Sequence, residues 1–187
     1  MRMREQDIAE WIACDERMMH VLRCVRQLRL PDSCVCAGFI RSKVWDALHG
    51  FDAPTALPDV DVVYYDAADT SERTEQEYEI ALLAMDGSIP WSVKNQARMH
   101  AKSGHSPYVS TADGLAHFPE TCTAIGAHID AKGNVQLIAP YGVEDLVRLI
   151  VRPTPYYLSP EKIGIYRKRI TDKNWREKWH RLTILEG

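Results

Sequence analysis

Two aspartates two residues apart, Asp59 and Asp61, open the most strand-like stretch of the chain, VDVVYY over residues 60–65. Successive strand residues point to opposite faces, so the two carboxylates share one face, about 7 Å apart along the backbone. Carboxylate oxygens so placed grip hard cations. Magnesium needs few of them, because phosphate oxygens and waters complete its octahedron. Two such ions can activate an attacking oxygen and stabilise a leaving one in phosphoryl transfer. The competing reading of D-x-D is a pair of solvated aspartates at a strand end, and the motif alone does not separate the two.

The elements that must position these acids are legible around them. An apolar run, CVCAGFI over residues 34–40, predicts a buried strand. Its Gly38 permits close approach of a backbone or a phosphate. A short helix over residues 41–49 follows, ended by Gly50, and its N-terminal N–H groups suit an anion. Apolar residues at three- and four-residue spacing predict a first helix over 5–29, stopped by Pro31. Residues 71–85 read as a helix with its glutamates outward, and 91–100 is ambiguous between strand and helix. A hairpin is expected over 121–129 and 135–138, a helix over 143–151, and a last helix from Pro160 with Trp175 and Trp179 after it. The pattern predicts one α+β domain over 1–187, a small mixed sheet flanked by helices. It lacks the regular βαβ rhythm of a doubly wound fold.

Composition narrows the function classes. The 187 residues are 45% hydrophobic and 26% charged, as in an ordinary globular protein, and the net charge of −3 argues against a general nucleic-acid coat. The charge is segregated. Residues 52–87 hold ten acids and one base, while residues 161–187 hold eight bases and four acids. The bland reading is two solvated faces; the sharper one is a cation site opposite a polyanion-binding surface. No run reaches a membrane span, and MRMREQDIAEW lacks the apolar core of a signal peptide. With an odd count of five cysteines, these features predict a reduced, cytoplasmic protein without a membrane partner. P-loop, dinucleotide, nucleophile-elbow and zincin motifs are absent.

The order of glycine turn, helix and carboxylate-bearing strand resembles the polymerase-beta-type nucleotidyltransferase superfamily. The runs GFIRSKVWDALHG (38–50), DVDVVYYD (59–66), WSVKNQARMH (91–100), FPETCTAIGAH (118–128) and IAPYGVEDLVRLIVRP (138–153) resemble one branch of it, a bacterial nucleotidyltransferase-like family, over about residues 34–180. The resemblance implies a nucleotidyltransferase-like fold and transfer of a nucleoside monophosphate from an NTP to an acceptor, here a small molecule, RNA or protein of unknown identity. It implies Mg²⁺ (or Mn²⁺) on Asp59 and Asp61, and Gly38 in the turn under the triphosphate. The superfamily's Gly-Ser or Gly-Gly turn is Gly38-Phe39 here, so a serine contact to phosphate is missing at that place; Ser42, where this family more often has asparagine, could serve instead.

Arg41, Lys94 and Arg98 are candidates to neutralise triphosphate charge, with surface ion pairs as the competing reading. Asn95 and Gln96 could meet a ribose or base, or cap a turn. His49 and His100 could position an acceptor, although lone histidines are more often structural. A third carboxylate cannot be placed: Asp66 has the wrong parity for the shared face, residues 91–99 contain no acid, and Asp113 and Glu120 are reserve carboxylates, Glu120 being also a good capping residue after Pro119. That gap supports an alternative, a non-catalytic nucleotide- or partner-binding module. A toxin–antitoxin component is a further reading by fold analogy alone.

Overall fold

The computed structural model describes residues 3–187. The first apolar stripe forms two helices, α1 (Glu5–Ala13) and α2 (Glu16–Gln27), in place of one helix over 5–29. Asp15 causes the break: its carboxylate accepts the Met18 N–H at 3.0 Å and caps α2. Strand β1 is only Cys34–Cys36, because the chain turns at Ala37 and helix α3 (Gly38–His49) begins three residues earlier than expected. Strand β2 is Val60–Tyr64, and α4 is Glu72–Met85. Residues 91–100 are both structures in turn: strand β3 (Trp91–Asn95), then helix α5 (Gln96–Ser103). Helix α6 (Thr111–Ala116) leads to the hairpin β4 (Gly126–Ile129) and β5 (Val135–Ile138).

The expected helix over 143–151 shrinks to α7 (Glu144–Val147), and β6 (Ile150–Val151) follows. The C-terminal segment, expected as helix from Pro160, is α8 (Ile163–Lys173), α9 (Trp175–Lys178) and β7 (Thr183–Ile184). Strand β7 pairs in parallel with β6, which ties the chain's end back to the domain.

The main sheet runs β3-β2-β1-β4-β5. Only β2 and β3 pair in parallel, so the sheet is mixed. Its larger core lies on one face, where Val35, Val62, Tyr64 and Val93 meet Ile12, Leu22, Trp45 and Leu82 from the helices. A smaller cluster of Cys34, Cys36, Val63 and Leu115 occupies the other face. Alternation along β2 therefore puts Val60, Val62 and Tyr64 into the large core and sends Asp61 to the face of Val63.

Strand β3 is an edge, and α4 covers it. Glu79 accepts the Val93 N–H at 2.8 Å, and Glu75 accepts the Asn95 N–H at 2.7 Å. Among the described residues no helix is long and apolar enough to cross a membrane.

Candidate active site

The turn from β1 into α3 is strained. Ala37 has φ +56° and ψ −118°, a conformation that a residue with a Cβ avoids at a cost on the order of 1–3 kcal/mol. Its N–H is fixed to the Ile125 carbonyl at 2.9 Å. Gly38 then opens α3, and no side chain caps that end. The first amides of a 12-residue helix carry partial positive charge and lack intrahelical acceptors. A cleft of about 530 Å³ lies over this end. Gly38, Arg41 and Ser42 form one wall of the cleft, residues 55–58 with Asp59 and Asp61 a second, and Arg169, Lys173 and Lys178 a third.

Asp61 stands opposite Ser92 in the β2–β3 register. Burial pushes its carboxyl above the usual range, and the charge of Asp59 adds to this; Ser92, Arg169 and Lys173 pull the other way. Two carboxylates held close on one face are relieved by a cation, and this donor set suits an ion that takes few protein ligands. The neighbouring strand supplies a hydroxyl here, not a third acid. Among the described residues no group of three or more His, Cys, Asp or Glu side chains is arranged to hold a metal. The buried Cys36 thiol is pushed well above its ordinary value by burial and by Cys34, Asp61 and Asp59, so it stays protonated.

Arg41 is buried to 8% exposure. Its guanidinium lies over the rings of Trp175 (4.3 Å) and Trp45 (5.1 Å) and donates to Thr123 Oγ1 at 2.8 Å. Burial lowers its pKa, while the charges of Glu120 and Asp61 push back. Arg169 reaches the cleft from α8 and donates through Nε to the buried Glu120 at 2.6 Å. Asp46 of α3 braces two cleft walls. It accepts the Thr55 N–H (2.7 Å), the Thr55 hydroxyl (2.8 Å) and the Trp179 indole N–H (2.8 Å).

The structure thus gathers Gly38, Arg41, Ser42, Asp59 and Asp61 in one cleft, and it does not bring Lys94, Asn95 or Arg98 there. Lys94 pairs with Glu79 at 3.1 Å and Glu75 at 3.6 Å. Asn95 is fully buried; its amide accepts from the Asp66 and Ala97 N–H groups and donates to the Asp66 and Asp69 carbonyls. Arg98 makes a two-pronged pair with Glu75 (2.7 and 2.6 Å) and a third bond to Glu72 (2.8 Å). Burial pushes Glu75 up, but hydrogen bonds from Arg98 and the Asn95 amide outweigh it, and the carboxyl ends below its usual range. These three residues join β3 and α5 to α4.

His49 is likewise structural. Its Nδ1 meets the Trp45 carbonyl at 2.7 Å, and its Nε2 accepts the Arg181 N–H at 3.2 Å. Local sequence pattern does not mark Arg169, Lys173, Lys178, Thr123 or Asp46 as site residues, and it offers Glu120 only as a reserve carboxylate. The basic stretch 161–187 was the one signal pointing toward the three cations.

The family model described as "Nucleotidyltransferase" matches residues 23–184. A structure described as a CCA-adding enzyme head domain superposes with a TM-score of 0.86 at 34% identity, covering 97% of this chain and 96% of that one. A CCA-adding enzyme complexed with CTP gives 0.59 at 15% identity, covering 99% of this chain and 44% of that chain. The Thermotoga maritima CCA-adding enzyme complexed with tRNA gives 0.56 at 15% identity, covering 99% and 43%. These last two share the fold, and this chain spans less than half of either. No curated protein matches the chain.

Proposed function

The chain belongs to this nucleotidyltransferase family, and on that premise we propose that it transfers a nucleoside monophosphate from an NTP to an acceptor. The observation that carries the reading is the single cleft holding Asp59 and Asp61, the uncapped start of α3, and Arg41, Arg169 and Lys173. In the transfer an acceptor oxygen bonds to the α-phosphorus while the α–β bridging bond breaks. Pyrophosphate leaves, and the acceptor's proton passes to water.

Asp59 and Asp61 would hold the Mg²⁺ or Mn²⁺, which when bound supplies the Lewis acid for both the attacking and the leaving oxygen. The α3 amides at Gly38 take up phosphate oxygens, and Ser42 offers a hydroxyl from the next turn. Arg41, Arg169 and Lys173 balance the triphosphate charge, which is the main task of a protein in this chemistry. Lys94, Asn95 and Arg98 stay outside this assignment because their polar groups are committed to α4 and to the turn at 66–69. The CCA-adding enzymes that share the fold were solved with CTP and with tRNA, so an RNA end is the first acceptor to try.

The alternative, a nucleotide-binding module without turnover, is favoured by one observation: Ser92 stands opposite Asp61, where a third acid would serve as general base. The test is to incubate the protein with Mg²⁺ or Mn²⁺, each labelled NTP and an RNA-containing cell extract, beside an Asp59→Ala/Asp61→Ala double variant. Label transferred by the wild type and not by the variant supports the enzyme. Tight NTP binding without transfer moves the reading to the module, and absence of NTP binding refutes both.

A further inference from the structure

Two side chains of the run FPETCTAIGAH (118–128) hold the cleft's arginines. Glu120 and Thr123 sit on one tight turn, in which the Glu120 carbonyl accepts the Thr123 and Ala124 N–H groups at 3.0 Å. Both side chains are buried. Glu120 binds Arg169 from α8, 49 residues away, and Thr123 binds Arg41 from α3, 82 residues away. The two arginines belong to different elements, and both lie over the ring of Trp175.

How the arginines are gripped is informative. Glu120 takes Arg169 through Nε, which leaves the paired Nη groups of the fork for another ligand. Thr123 takes Arg41 through Nη1, while Nη2 lies beside Gly38, 3.7 Å from where a Cβ would stand. The second carboxylate oxygen of Glu120 is buried and has no hydrogen-bond partner among the described residues. A half-satisfied buried carboxylate is a poor stabilising device. It is explained if its work is to fix a guanidinium in place.

We infer that Glu120 and Thr123 are positioning residues for pyrophosphate, holding Arg169 and Arg41 so that their free N–H groups converge on the leaving β- and γ-phosphates. The inference rests on the transfer reading above. Neither residue touches substrate, since each acts through its arginine.

The test is calorimetric binding of inorganic pyrophosphate, and of a nucleoside monophosphate, to the intact chain in Mg²⁺. Thr123→Val removes the hydroxyl, Thr123→Ser keeps it, and Glu120→Gln keeps an acceptor oxygen without the charge. Thr123→Val and Glu120→Gln are expected to weaken pyrophosphate binding about tenfold or more, the scale of one lost charge-assisted hydrogen bond. Thr123→Ser should restore it, and monophosphate binding should change far less. Equal pyrophosphate affinity in wild type and Thr123→Val, both folded by circular dichroism, overturns the inference. So does an equal loss for both ligands, which would mark a merely structural role. Should Glu120→Gln fail to fold, the Thr123 pair decides alone. A wild-type chain that binds neither pyrophosphate nor NTP refutes the transfer reading itself.

Discussion

Gly38→Ala separates what the chain needs for itself from what a ligand would need. Gly38 is not among the residues with positive φ, and a Cβ built on it would stand 3.7 Å from Arg41 Nη2 and 3.8 Å from the Leu57 side chain. Both are ordinary contacts, so the fold has room for a methyl. Alanine at the first position of α3 should stabilise by about 0.5–1 kcal/mol through a stiffer unfolded chain. At this chain length that raises the melting temperature by roughly 1–4 °C. The same methyl would cover Arg41 Nη2 and the helix amides where the triphosphate is proposed to lie. NTP affinity should therefore fall at least tenfold, about 1.4 kcal/mol. Thermal unfolding by circular dichroism and NTP titration by calorimetry read the two effects on the same sample. A lower melting temperature would mean that the chain itself requires the glycine. Unchanged NTP affinity would mean that nothing approaches there, and the phosphate site would have to be sought elsewhere.

Asp46→Ala should be costly in the opposite sense. It strands the buried Trp179 indole N–H and removes two hydrogen bonds to the half-buried Thr55, about 1–3 kcal/mol, so thermal unfolding should move down by on the order of 5 °C; a shift of a degree or less would show that water replaces the carboxylate. His105 predicts a pH effect. Burial, with help from the charges of Lys162 and His117, pulls its pKa down to about 4. The folded protein then keeps this ring neutral while the unfolded chain protonates near pH 6.5. Stability should fall as pH drops from about 6.5 to about 4. His105→Asn should flatten that part of a plot of urea midpoint against pH, and an unchanged slope would exclude His105 as its source.

Local pattern points to one side of the candidate site and is silent on the other. Asp59 and Asp61 were legible because parity along a strand needs only neighbours in sequence, and Gly38 because it joins a strand to a helix. Arg169 and Lys173 stand more than a hundred residues downstream of Asp61, and only the tertiary placement of α8, with Arg169 bonded to Glu120, brings them to the cleft. Lys94, Asn95 and Arg98 have chemistry that suits a nucleotide as well as it suits Glu75, and the structure places them with Glu75, away from the cleft. The choice between those partners was made by α4 lying along β3, which no local pattern announces. Asp15 was hidden inside a continuous apolar stripe, although an aspartate is a favoured helix cap. The two-residue strands β6 and β7 exist only through each other and carry no signal of their own.

The glutamates along β3 also bear on how the protein meets other chains. An edge strand is an invitation to strand addition, since every second N–H looks outward for a carbonyl. Here Glu75 and Glu79, one helical turn apart, occupy two successive outward positions as the carbonyls of a sixth strand would. Any second polypeptide joining the sheet at β3 must first displace two carboxylates that are themselves ion-paired. On that side α4 ends the sheet at five strands by occupying the N–H groups that strand addition would need.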